Sequence, residues 1–288
     1  MNPTGIYYAF FVESAELDWH GWIERAARAG VDILECSGPQ MIRLNADERG
    51  KIARHARAVG LELTMAVCLT DSADISSDEQ EVRNAGTQLL MDYATIASEM
   101  QIAVIGGILT GVGKRFPQGI ERTREFVLRR AMPYLQTAAR HAEKVGVTLA
   151  METVNRFETP LLHTAQEALD VVEAVNSPAL GILLDTFHMN IEERSFAAAI
   201  RLAGKRLVHF HVCENDRSLP GQGHIPWKEI LAALKTAGYQ GRVVIESLAG
   251  PYGNLPQRLN IWRTFCTEPD VELTQSIRFL QAQWEALQ

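Results

Sequence analysis

Four apolar runs in the second half of the chain each end on a side chain able to bind a metal ion. Residues 147–151 run into Glu152, residues 180–184 into Asp185, residues 207–210 into His211 and residues 243–245 into Glu246. Singly, such residues mean little, since a strand-terminal aspartate is often a helix cap and a histidine near a core is often only hydrogen-bonded. Four in succession, each closing a strand-like run, point to one shared site. Three carboxylates and an imidazole, with no cysteine among them, suit a divalent ion that prefers oxygen: Mn2+, Mg2+ or Co2+ ahead of Zn2+.

The chemistry open to such a site follows from the donor set. An ion held by O2 and O3 of a 2-keto sugar would polarise the carbonyl and stabilise an enediolate, which makes the proton on C3 removable. Inversion at C3 then needs a base on one face and an acid on the other. Glu152 and Glu246 are the pair placed to oppose one another, because Asp185 and His211 lie between them in strand order. A carboxylate can hold the ion with one oxygen and move a proton with the other, whereas Asp185 is expected to be a ligand only. Glu158, His188 and Arg217 follow the same strands and are expected to orient the substrate's O1 and O2, His188 without touching the metal. A solvated loop is the competing reading for Arg217. Tyr7, in the first strand, is expected to line the pocket, with core packing as its alternative.

The elements that must position these residues alternate along the whole chain. Apolar runs at 5–12, 31–35, 61–67, 102–106, 147–151, 181–184, 206–210 and 242–245 read as buried strands. Between them lie helical patterns at 18–29, from Asn45 or Asp47 to 59, at 77–100, 120–145, 164–175, 195–203 and 226–237, with a last one at 274–286. Several stop at a glycine (Gly30, Gly60, Gly146, Gly238). Thr164 and Glu167 have capping-box spacing, Pro226 suits a helix start, and Pro133 predicts a kink or break inside 120–145. Eight strand–helix units without a composition break predict a single (β/α)8 barrel, the TIM-barrel architecture, over residues 1–288, with its active site at the C-terminal ends of the strands. An open doubly wound sheet would need a switch point and usually a phosphate-binding turn, and no G-x-G-x-x-G follows the first strand.

Composition narrows the function classes. The 288 residues are 47% hydrophobic and 22% charged, with 28 basic against 35 acidic residues and a net charge of −7. That balance argues against a nucleic-acid backbone as partner. No apolar run reaches membrane-spanning length, and no signal-peptide pattern opens the chain. The four cysteines, Cys36, Cys68, Cys213 and Cys266, form no C-x-x-C pair, which fits a reducing compartment. A cytoplasmic protein is expected.

At these residues the sequence resembles the ketose 3-epimerases, the D-tagatose 3-epimerase and D-psicose (D-allulose) 3-epimerase family. The matching stretches are Glu152-Thr-Val-Asn-Arg-Phe-Glu158, Leu184-Asp-Thr-Phe-His-Met-Asn-Ile-Glu-Glu193, His209-Phe-His211 and Pro220-Gly-Gln-Gly-His-Ile-Pro-Trp227, with Gly5-Ile-Tyr-Tyr and Ile261-Trp-Arg263 similar too. The resemblance covers nearly the whole chain. It implies a (β/α)8 barrel with one Mn2+, or Mg2+ or Co2+, on Glu152, Asp185, His211 and Glu246. It also implies proton transfer by Glu152 and Glu246, substrate contacts from Glu158, His188 and Arg217, and a homodimer or homotetramer.

Three stretches depart from the family pattern. Glu246-Ser-Leu248 replaces Glu-Pro-Phe, and Trp262-Arg-Thr264 replaces Trp-Arg-Asp. The loop 109–117 is longer and basic, with Phe116 in place of a tryptophan. These changes leave the metal residues intact and open the question of which ketose is preferred. Lys114 and Arg115 raise the possibility of a phosphorylated substrate, against the blander reading of a solvated loop. Other functions weighed are aldose–ketose or hydroxypyruvate-type isomerisation, a metal-dependent phosphodiesterase of the endonuclease IV type, and a non-catalytic sugar-binding barrel. The phosphodiesterase would want more metal-binding histidines and a basic groove, and both glutamates argue against a merely binding barrel.

Overall fold

Eight parallel strands pair in sequence order and close into a barrel. The computed structural model describes residues 1–14, 16–111, 123–250 and 259–287. The strands are β1 Thr4–Tyr7, β2 Ile33–Ser37, β3 Glu62–Cys68, β4 Val104–Ile108, β5 Thr148–Glu152, β6 Leu180–Asp185, β7 Leu207–Val212 and β8 Arg242–Ile245. β1 closes the ring on β8, with Gly5 beside Val244. Parallel neighbours need long crossovers, and helices supply them.

Those helices are α1 Trp19–Ala29, α2 Gly38–Met41, α3 Ala46–Ala58, α4 Gln80–Glu99, α5 Arg124–Val145, α6 Ala165–Val175, α7 Thr186–Glu192, α8 Phe196–Ala203, α9 Trp227–Thr236 and α10 Pro269–Glu285. Their starts are written in side chains. Thr164 and Glu167 form the expected capping box on α6, and Asn45 with Glu48 forms a second on α3. Each box satisfies backbone N–H groups that the helix itself leaves open. Gly30 ends α1 with φ of 83°, a left-handed turn that a side chain would resist.

The first strand is shorter than its apolar run. The run to Val12 splits into β1 and a 3-10 turn, Tyr8–Phe11. All four turn residues are buried, so the sequence carries no alternation from which a strand end could be read. The Tyr8 ring turns outward onto α1, 5.3 Å from Trp19 and 5.7 Å from Trp22. Two short helices, α2 and α7, are additions to the sequence reading, and each starts directly on a strand end. The helix from 120 is described only from Thr123, its N-cap. No helix among the described residues is long and apolar enough to cross a membrane.

Pro133 does not break α5. The helix runs through it, held by a buried stripe of Val127, Ala131, Leu135, Ala138, Ala139 and Ala142. Pro133 itself faces solvent, and packing on the opposite face outweighs its lost N–H. A proline in an exposed helix interior costs about 3 kcal/mol relative to alanine, offset by about 1 kcal/mol from the stiffer unfolded chain. Pro133→Ala is therefore expected to stabilise the protein by about 2 kcal/mol in urea denaturation. A destabilised variant would mean that the stripe needs the bend that proline imposes.

Candidate active site

The four residues at the ends of β5 to β8 come together. One ligand atom each from Glu152, Asp185, His211 and Glu246 lies within 4.8 Å of all the others. Strand register explains the meeting: Asp185 sits beside His211 across β6 and β7, and Val212 beside Ile245 puts Glu246 one step further on. His211 presents Nδ1 to the cluster, 3.0 Å from Glu246 Oε2 and 4.0 Å from Glu152 Oε1. Asp185 is also the N-cap of α7, its Oδ1 accepting from the Phe187 N–H at 2.8 Å.

Arg217 and His188 close over these oxygens. Arg217 Nη1 donates to Asp185 Oδ2 at 2.5 Å and to Glu246 Oε2 at 3.1 Å, while the guanidinium lies 4.2 Å above the Phe187 ring. Arg217 is buried, not a solvated loop residue. Its backbone has φ of 72° and is pinned by bonds from its N–H to Glu214 O and from Leu248 N–H to its carbonyl. His188 Nδ1 accepts from the Asn155 backbone N–H at 3.2 Å and faces the Asn155 amide nitrogen at 2.8 Å. In the neutral ring the proton is thereby assigned to Nε2. That nitrogen lies 3.1 Å from Arg217 Nη2 and 3.7 Å from Glu152 Oε1, so in this tautomer two N–H groups face each other and an acceptor oxygen between them would answer both. Glu158 is held at the edge by Asn155 Nδ2 at 3.1 Å. Tyr7 is buried at the end of β1, its hydroxyl pushed well above the usual phenol range by burial, then by Tyr8, Glu246 and Glu35.

Residues 23–283 match the model of the xylose isomerase-like TIM barrel family. The chain belongs to that family. It is 33% identical over 270 residues to the D-psicose 3-epimerase of Ruminiclostridium cellulolyticum, covering 93% of this chain and 92% of that one. It is 30% identical to the L-ribulose 3-epimerase of Mesorhizobium japonicum, covering 91% and 88%. A crystal structure of D-psicose 3-epimerase in the presence of D-fructose matches with a TM-score of 0.92 at 30% identity, over 98% of this chain and 99% of that chain. Among xylose isomerase-like barrels, the chain therefore groups with the ketose 3-epimerases.

The charges at this barrel mouth fit a divalent cation. Glu152 is pushed well above the carboxylate range by burial and by the charge of Glu246, with Asp185 adding to it. A cation among these oxygens would reverse that shift. Burial would raise Asp185 as well, but Arg217 and His188 outweigh it and hold the group below the carboxylate range. His211 goes the other way: Glu35 and Glu246 overcome burial and raise it. An oxygen-rich donor set with one imidazole suits a hard or borderline ion.

Sequence reading passed over the partners beneath and beside the cluster. Glu35, Thr64 and His209 lie buried inside the barrel, and Asn155 aims His188. The signal for His209 was present, because residues two apart in a strand share a face, and His209-Phe-His211 therefore brings two imidazoles together edge to face, 5.0 Å apart. Lys114, Arg115 and Phe116 lie outside the described residues. Of the other departures, Leu248 is buried and Trp262 is 74% exposed.

Burial, followed by Arg217, lowers the His188 pKa from 6.5 to about 4. The unfolded chain thus takes up this proton first as pH falls. Stability from a neutral His188 is complete above pH 6.5 and is lost on the way down to about 4. The loss is on the order of 3 kcal/mol. In chelator-treated protein, urea titrations across this window are expected to show the decline, and His188→Gln should flatten it. Equal slopes for both proteins would assign the decline elsewhere.

Proposed function

We propose that this protein is a metal-dependent ketose 3-epimerase acting on a free ketose. The observation that carries the reading is the entry of Glu152 and Glu246 into one cluster from β5 and β8, with the ligands of β6 and β7 between them. The relatives named above, D-psicose and L-ribulose 3-epimerases, support the same reaction class. Glu152, Asp185, His211 and Glu246 would hold the ion, Mn2+ being the first choice for such donors and Mg2+ or Co2+ the others. When bound, it supplies Lewis acidity at the ketone and C3 oxygens, which makes C3–H acidic.

The chain's own groups do the rest. One glutamate, Glu152 or Glu246 according to the substrate's configuration, takes the C3 proton. The C–H electron pair becomes the C2–C3 double bond as the carbonyl π pair moves onto O2, giving an enediolate. The opposite glutamate, protonated at the outset, delivers its proton to the other face of C3, the electrons return, and the ketone re-forms with C3 inverted and the two glutamates in exchanged protonation states. His188 Nε2 and Arg217 Nη2 meet at 3.1 Å, and an oxygen at O1 or O2 of the sugar would take the place of this contact and accept from both. Glu158, at the edge of this pair, would accept from a sugar hydroxyl, and Tyr7 would close the pocket from β1.

Arg156 and Arg263, on loops at this end of the barrel, are engaged by the carboxylates of Glu192 and Asp216. Among the described residues, that engagement supports a free sugar over a phosphorylated one.

Free ketopentoses, ketohexoses and their phosphates, incubated with Mn2+ in D2O, are expected to yield the C3 epimer of a free ketose with deuterium at C3. An aldose product would instead indicate an aldose–ketose isomerase, and a strong preference for phosphates would reverse the substrate assignment. Glu152→Gln and Glu246→Gln should each lower kcat by about 10²–10⁴-fold, the usual worth of a proton-transfer group. Full activity in either variant would refute the two-glutamate mechanism.

A further inference from the structure

One polar group lies deeper in the barrel than the site needs. Glu35 projects from β2, fully buried, with Thr64 of β3 and His209 of β7 around it. Its Oε1 accepts from Thr64 Oγ1 at 3.0 Å and faces His209 Nε2 at 2.7 Å. Its Oε2 lies 2.9 Å from His211 Nε2. The last contact is in ion-pair range but off the straight hydrogen-bond line, and neither atom has a hydrogen-bond partner among the described residues. The opposite edge of the same ring is the one that faces the metal-site carboxylates.

We propose that Glu35 is a positioning residue, which from inside the barrel fixes the proton of His211 on Nε2 and so leaves Nδ1 as a metal ligand. The proposal rests on the metal-site reading above. A metal-binding imidazole commonly needs such a partner on its other nitrogen to set ring orientation and tautomer.

The surroundings are built for this task. A buried carboxylate is costly unless fully answered, and two strands supply donors to hold Oε1, which turns Oε2 toward His211. His209 is wholly buried and its Nδ1 has no hydrogen-bond partner among the described residues; with Glu35 and His211 it also forms a second close group of metal-capable atoms. β4 makes room for it with Gly106, where a Cβ would come within 3.2 Å of the His209 ring and 2.5 Å of Leu183 Cδ1.

Glu35→Gln keeps the size and changes the chemistry at one end. Two donors, Thr64 Oγ1 and His209 Nε2, would hold the amide oxygen at the Oε1 position. The amide NH2 would then face His211 Nε2, which can accept that bond only by moving its proton to Nδ1.

The experiment is calorimetric titration of Mn2+ into the chelator-stripped full-length protein and its E35Q variant, beside urea denaturation of both without metal. E35Q is expected to fold and to bind Mn2+ with a Kd raised about 10–100-fold. Excess Mn2+ should restore most of its kcat at an unaltered ketose KM, which a merely structural role would not produce. A Kd within about twofold of the parent's, far short of the usual partner effect, would overturn the proposal. So would a second Mn2+ in the parent that E35Q loses, which would make Glu35 a ligand itself. If the parent binds no Mn2+, the proposed function falls along with it; if the parent binds and E35Q binds equally, only this inference falls. Should E35Q not fold, Thr64→Val, which removes one donor from Oε1, is expected to weaken Mn2+ binding severalfold, and an unchanged Kd would overturn the proposal.

Discussion

Three carboxylates packed at the mouth of a sealed barrel repel one another, and most of the surrounding structure answers that repulsion. At about 4 Å and an effective dielectric near 20, two like charges cost about 4 kcal/mol. One oxygen each of Glu152, Asp185 and Glu246 lies within 4.8 Å of the others. Arg217 neutralises part of the charge from above through Asp185 and Glu246, and His211 meets it from below. What is left falls on Glu152, whose raised pKa marks where positive charge is still wanted. A barrel that kept only the carboxylates would be less stable, so a cation site and a stable fold are parts of one electrostatic problem.

Arg217 shows what this costs the backbone. A buried guanidinium must be paired on nearly every side, and this one reaches its partners from a left-handed residue that is not glycine. Such a conformation costs about 1–3 kcal/mol and persists only where the surroundings over-determine it. The bonds to Glu214 and from Leu248 do so. Glu214 in turn accepts from Gly221 N–H, Ile225 N–H and Trp227 Nε1, tying the loop after β7 to the start of α9. A residue proposed to touch substrate is thus also the keystone of a loop.

The barrel was legible because its signals are local. Apolar runs of strand length, glycine stops and the Thr164 capping box depend on neighbours in sequence, and eight units in a row leave little choice of topology. The meeting of Glu152, Asp185, His211 and Glu246 was legible for a related reason, since strand ends in a parallel barrel all point to one mouth. Glu35 stayed hidden although its apolar run ends on a carboxylate just as theirs do. It is not at the strand's end: β2 continues through Ser37, so the side chain sits inside the barrel below the mouth. The burial of Arg217 was unreadable too, because it depends on a positive φ at a position that glycine does not occupy. α7 was masked by economy, Asp185 serving as strand end and helix cap at once.

That economy bears on how the carboxylates divide their work. Asp185 Oδ1 is occupied by the Phe187 N–H and approached by the Cys213 thiol at 3.7 Å, and Oδ2 takes Arg217. A carboxylate held on both oxygens, with its pKa pulled down, gains nothing by accepting a proton and would have to break a helix cap to turn. Glu246 differs, since His211 and Arg217 both reach it on one oxygen, Oε2. Glu152 differs further, since its contacts to His188 and His211 are long, 3.7 and 4.0 Å. A proton carrier must exist in both states at modest cost, and a fixed ligand must not. The packing around these three groups therefore fits the proposed division, with the two glutamates as carriers and Asp185 as the anchor, on grounds independent of their order around the ring.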